Sequence, residues 1–206
     1  MAAPAHAIVP MPLVGLVRDI IASVVLRCFP RGYARGLRVV FVNIDADRAL
    51  CLSRLQEAID MVASAGSSFQ ANLRRVRHVA VWMACNASID SLGGVQLASE
   101  DIIDLPTILL ASVLVHEATH LRVAARHIKY EGSLRARIEE LCVREQARFL
   151  RTFGGTGEKL AGVVEESLKQ RWWEDSALEA ELQRQLVQHQ VPPWLEALIR
   201  ASRDAN

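Results

Sequence analysis

The chain has 206 residues, with 24 basic and 23 acidic side chains and a net charge of +1. That length sustains one ordinary hydrophobic core and requires no second, and the balanced charge supplies no chain-wide field toward nucleic acid or an anionic membrane. Cys28, Cys51, Cys85 and Cys142 lie far apart with no Cys-x-x-Cys pair. This argues against a cysteine zinc cluster or a dense disulfide framework and points to a reducing, cytoplasmic setting.

Residues 13–29 are the one candidate for a targeting or membrane element. Arg18 and Asp19 interrupt them and Arg27 lies near their end, so the longest uncharged run is far short of the roughly 20 residues a spanning helix needs. The expected role of residues 1–30 is a helical extension whose apolar face covers the core; a helix lying in a membrane interface is the alternative. After Pro30-Arg31-Gly32, residues 37–44 are β-branched and apolar, which predicts a buried strand. Residues 45–65 repeat Leu50, Leu55, Ala58, Ile59 and Val62 at helical spacing, and Gly66-Ser67-Ser68 closes them as a turn. Residues 77–85 and 93–99 predict a second and a shorter third strand.

Asp104 is an acidic cap candidate, and Pro106 suits the first turn of a helix running through Ile108 into the histidines. A further helix is expected over 133–152, stopped by Gly154-Gly155, with more helices over 155–206 and a break at Pro192-Pro193. Strands first and helices afterwards is an α+β pattern, read as one domain over 1–206 with its chemical core in 37–152.

The chemistry is carried by His116-Glu117-Ala118-Thr119-His120. Histidines four apart on a helix lie about 40° apart on one face and can share a tetrahedral metal. Glu117 projects about 100° round from His116, within reach of a water on such an ion but turned from ordinary ligation, as suits a general base. Two satisfied core histidines are the plainer reading. Against it, burying two histidines and a glutamate costs several kcal/mol without partners, and the motif follows a long apolar helix that itself follows strands.

A catalytic zinc takes a third protein ligand. His127 stands seven residues after His120, whereas the extended histidine motif of metzincins needs a histidine six after it and a glycine between; Arg126 and Val123 occupy those positions. His127 therefore reads as a polar helix-end residue. On the following helix Leu134, Ile138, Leu141, Cys142 and Phe149 set the apolar arc, Glu139 lies at its edge with Val143 and Gln146, and Glu140 points away with Arg144. Glu139 is the preferred ligand and Glu140 a surface charge. Glu145 falls on the apolar arc and needs either a ligand histidine or an arginine as partner. Gln146 either orders the site or is a core-edge glutamine.

His116, Glu117, His120 and Glu139 on the next helix together resemble the gluzincin group of zinc metallopeptidases, and the short chain is similar to the compact minigluzincins. The resemblance spans residues 37–150. It implies a zincin-like fold, a sheet whose edge strand receives substrate, zinc held by His116, His120 and Glu139, and Glu117 as base. One departure from the thermolysin-like pattern is Val143, where an aspartate four residues after Glu139 would orient a ligand histidine. Tyr130 is an oxyanion-stabilising candidate, with packing as the plainer role. Residues 94–99 are a candidate edge strand for pairing with an extended peptide.

Trp172, Trp173 and Trp194 suit core packing of a C-terminal helix better than an exposed contact surface. The basic stretch 73–78 lacks interleaved aromatics and gives no nucleic-acid signal. The leading expectation is a zinc-dependent peptidase acting on peptides or proteins. Its rivals are a noncatalytic metal-binding or peptide-binding protein of the same fold and a membrane-surface protein using residues 1–30; no feature sets an oligomeric state.

Overall fold

Two short segments with opposite surroundings start the sheet. Strand β1 (Arg31–Ala34) and strand β2 (Leu37–Phe41) pair antiparallel through a two-residue turn, in which Arg35 and Gly36 both have positive φ, 49° and 81°. That turn matches the twist of the strands it joins. The computed structural model describes residues 27–174 apart from 44, 83–86, 91 and 172, together with 180, 183 and 184. Nearly all of the 1–30 extension, the Pro192-Pro193 break and Trp194 lie outside the described residues.

Helix α1 (Arg48–Ser64) follows, its first turn capped by Asp47, whose side chain accepts from the Leu50 N–H at 3.0 Å. Helix α2 (Ser67–Leu73) leads into strand β3 (His78–Trp82), which lies parallel to β2. Strand β4 (Ser88–Ile89) and strand β5 (Val95–Ala98) complete the sheet, in the order β1-β2-β3-β5-β4 with β4 antiparallel. The near-continuous apolar runs of β2 and β3 reflect burial of both faces. Val39, Phe41, Val79, Val81, Val95 and Leu97 enter the principal core, while Val40 and Ala80 pack with Phe29, Val42, Trp82 and Leu92 on the other side.

Helix α3 (Ser99–Asp104) precedes the long helix α4 (Thr107–Ala124), followed by helix α5 (Gly132–Arg151), helix α6 (Gly155–Ser167) and a 3-10 turn over Leu168–Gln170. Helix α4 is buried nearly all round because α1, α2, α5, β4 and β5 all pack on it. Helix α5 then pairs with α4 and α6 covers α5. The result is a mixed α+β fold with the apolar helix at its centre.

Four sequence expectations change. The sheet has five strands, because β1 and β4 are too short to leave an apolar run. Gly66-Ser67-Ser68 is a turn that immediately starts α2, with Gly66 at φ 136° as its cap. Asp104 ends α3 and does not cap α4; Pro106 sits at the cap, its carbonyl accepting from Leu109 and Leu110 at 2.8 and 3.0 Å. Residues 94–99 are no edge strand: β5 has β3 on one side and β4 on the other. Among the described residues no helix is long and apolar enough to cross a membrane.

The β4 edge is pinned from within. His78 is 1% exposed and its Nε2 lies 2.8 Å from Asp90 Oδ2, while Asp90 Oδ1 accepts from the N–H groups of Leu92 and Gly94 at 2.9 and 2.8 Å. Burial works against the Asp90 charge, but the His78 bond and the two N–H groups outweigh it and hold the carboxyl below its ordinary range.

Candidate metal centre

The seam between α4 and α5 brings the sequence motif and the next helix's glutamate together. Helical spacing sets His116 and His120 side by side, with Nε2 atoms 3.1 Å apart and ring centroids 4.9 Å apart. Glu139, 3% exposed, reaches across from α5: Oε2 lies 3.4 Å from His116 Nε2, and Oε1 lies 3.4 Å from His120 Nε2. Donors bound to one tetrahedral ion at about 2.0–2.2 Å stand roughly 3.3–3.6 Å from one another. The two histidine–carboxylate spacings fall in that range and the histidine–histidine spacing lies just below it, with a different Glu139 oxygen facing each ring.

Two further observations fit a cation here. Glu139 Oε2 is buried and has no hydrogen bond, and an orphaned carboxylate oxygen in a protein interior demands a partner. The facing histidine nitrogens likewise share one point in space. The donor set, two imidazoles and a carboxylate, belongs to divalent transition metals and to zinc among them.

A chain of hydrogen bonds sets the orientation of His116. Ser112 Oγ donates to the Leu109 carbonyl at 2.8 Å, so it accepts from Gln146 Nε2 at 3.0 Å. That turns Gln146 Oε1 toward His116 Nδ1, 3.1 Å away. An amide oxygen only accepts, so Nδ1 carries the hydrogen and neutral His116 presents a bare Nε2 lone pair to the centre. Gln146 thus orders the His116 ring. Val143 is 1% exposed and simply packs.

The electrostatics agree. Burial alone would lower the His116 pKa, but the Glu139 carboxylate facing its Nε2 and the nearby Glu117 charge hold it above the ordinary histidine value. Burial would raise Glu139, yet His116, His120 and the Tyr130 hydroxyl hold it far below the carboxylate range. Glu117 is 4% exposed, and burial pushes its pKa up against the lowering effect of the two histidines. Among the described residues its carboxylate makes no hydrogen bond.

The remaining candidates separate clearly. Glu140 is turned to solvent and pairs with Arg144 at 2.5 Å. Glu145 takes an arginine partner, Arg148 at 2.7 Å with Arg122 at 3.9 Å, and does not touch the histidines. His127 is exposed at the end of α4, in the left-handed region at φ 58°. The Tyr130 hydroxyl donates to Glu139 Oε1, its ring stands edge-on to His120 at 5.6 Å, and Arg135 lies over its other side at 5.4 Å. Tyr130 thus braces Glu139, a contact that neither oxyanion binding nor plain packing anticipated. Trp173 is buried, and its carbonyl accepts from Arg135 at 3.1 Å.

Sequence reasoning missed Cys142 as a donor. It is fully buried, and its sulfur and ring nitrogens of His116 and His120 all lie within 4.8 Å of one another, a group able to bind a metal ion. The signal was available: Cys142 follows Glu139 by three residues, so the two share a helix face. Cys28, Cys51 and Cys142 are free thiols.

No protein-family model matches this chain, and neither a curated protein nor a solved structure gives a significant match.

Proposed function

We propose that this chain is a zinc-dependent peptidase of zincin-like architecture, in which His116, His120 and Glu139 hold the metal and Glu117 is the general base. The observation that carries the reading is a buried Glu117 beside three donors spaced 3.1–3.4 Å apart. A zinc ion in this donor set supplies a Lewis acid that polarises a carbonyl and acidifies water. The chain's own residues do the rest. Glu117, one residue from a ligand histidine and without a hydrogen-bond partner among the described residues, is free to take a proton from the attacking water. Burial raises its affinity for that proton, which favours its holding the proton before delivery to the leaving amine. Gln146 and Tyr130 keep His116 and Glu139 oriented meanwhile.

The substrate class is a peptide or protein segment in extended form. Strand β4 ends the sheet and packs against α4, so an extended chain added to that edge would run beside the histidine helix with main-chain pairing as its affinity. A cytoplasmic setting accords with the free cysteines. Cys142 favours one rival reading, a closed noncatalytic metal site, since a fourth protein donor would leave water no position.

Metal content and peptide cleavage, measured on wild type, His116→Ala and Glu117→Gln, test the proposal. The expected result is one zinc per wild-type chain, loss of metal in the histidine variant, and retained metal with cleavage reduced by roughly 10²–10⁴ in the glutamine variant. A metal-free wild type would end the reading, and equal cleavage by Glu117→Gln would end the role given to the base.

A further inference from the structure

Three donor residues of a tetrahedral shell face one another, and a fourth donor, the Cys142 sulfur, stands close by. His116, His120 and Glu139 stand 3.1–3.4 Å apart. Cys142 Sγ joins the two histidines only within a 4.8 Å circle, whereas sulfur and nitrogen on one zinc stand about 3.5 Å apart. Closing such a shell is within the range of a side-chain adjustment. Cys142 is on the same face of α5 as Glu139 and is fully buried in the α4–α5 seam, packed with Val123 and Ile138. Any sulfur that moves toward the centre therefore meets the metal ahead of solvent.

Resting on the metal-site reading above, we propose that Cys142 is an exchangeable fourth ligand: it closes the shell in the resting protein and yields its position when a substrate carbonyl or water enters. On closing, the thiol releases its proton to solvent and sulfur donates a lone pair to the ion. On opening, an oxygen donor replaces sulfur and the departing thiolate takes up a proton. The two histidines and the carboxylate carry the binding, and the sulfur carries the switching. A thiolate in the shell also selects for zinc and other soft-accepting ions over magnesium or calcium.

The test uses cobalt(II) alone, titrated into the full metal-free chain. Tetrahedral visible bands report binding at the site, and a near-ultraviolet sulfur-to-cobalt charge-transfer band reports thiolate ligation. Wild type is expected to give both, while Cys142→Ser and Cys142→Ala keep the visible bands and lose the charge-transfer band; these variants also separate Cys142 from Cys28, Cys51 and Cys85. Adding a peptide hydroxamate should bleach the charge-transfer band of wild type while cobalt stays bound. Visible bands without charge transfer in wild type would overturn the proposal and leave the three-ligand site standing, an outcome read on wild type alone and independent of whether any variant folds. Charge transfer that survives the hydroxamate would make sulfur a permanent ligand and overturn the exchange. Absence of both bands would remove the metal site itself.

Discussion

Replacing Gln146 by leucine removes a side chain that is 9% exposed and links Ser112 to His116. Ser112 Oγ keeps its bond to the Leu109 carbonyl, so the main loss falls on His116 Nδ1, which loses its acceptor at 3.1 Å. An imidazole without that partner is free to rotate and to carry its hydrogen on Nε2, the atom 3.4 Å from Glu139 Oε2. Partners of this kind are worth about 10–100-fold in metal affinity, or about 1.4–2.8 kcal/mol. Loss of a buried hydrogen bond costs fold stability about 1–3 kcal/mol besides. Zinc competition against a chromogenic chelator measures the first quantity and thermal melts of the metal-free proteins the second. Gln146→Glu, which keeps an acceptor at Nδ1, should bind zinc far more tightly than Gln146→Leu. Equal zinc affinity in wild type and Gln146→Leu would refute the assignment of Gln146 as the residue that orients His116.

Glu139→Gln should abolish or greatly weaken zinc binding, whereas Glu140→Gln, which removes only an exposed pair with Arg144, should leave zinc binding unchanged and stability within about 0.5 kcal/mol by denaturant melts. Gly94→Ala places a Cβ 2.2 Å from His78 Nε2 and 2.4 Å from Asp90 Oδ2; the overpacking should cost roughly 1–3 kcal/mol and lower the melting temperature by roughly 2–12 °C in calorimetry. Because Asp90 titrates below its ordinary range in the folded protein, its contribution is present above the unfolded-state value of about 3.9 and is lost as pH falls through the lower native value. The stability gap between wild type and Asp90→Asn should therefore shrink as pH falls below about 4; a gap that widens on acidification below about 4 would contradict the sign.

Periodicity alone carried the elements that matter most to the site. The apolar run through Ile108–Leu114 marked a buried helix, the i,i+4 histidines needed only that helix to converge, and Glu139 was separable from Glu140 because one step along a helix is about 100°. These are local properties, decided by spacing within one element. What spacing could not supply was the pairing of α4 with α5. Only that contact shows that Gln146 rather than a carboxylate meets His116 Nδ1, that Tyr130 closes on Glu139 across a loop, and that Cys142 stands beside both histidines. The same holds for the sheet. β1 and β4 are four and two residues long, too short to leave a periodic signal, and they exist because the next strand in the chain, β2 or β5, offers each its hydrogen-bond partners. Residues 94–99 have an edge strand's composition, yet β4 covers them. Composition and period determine which face of each element is apolar; which faces meet, and therefore which polar atoms come together in the interior, is decided by the packing of one element on another.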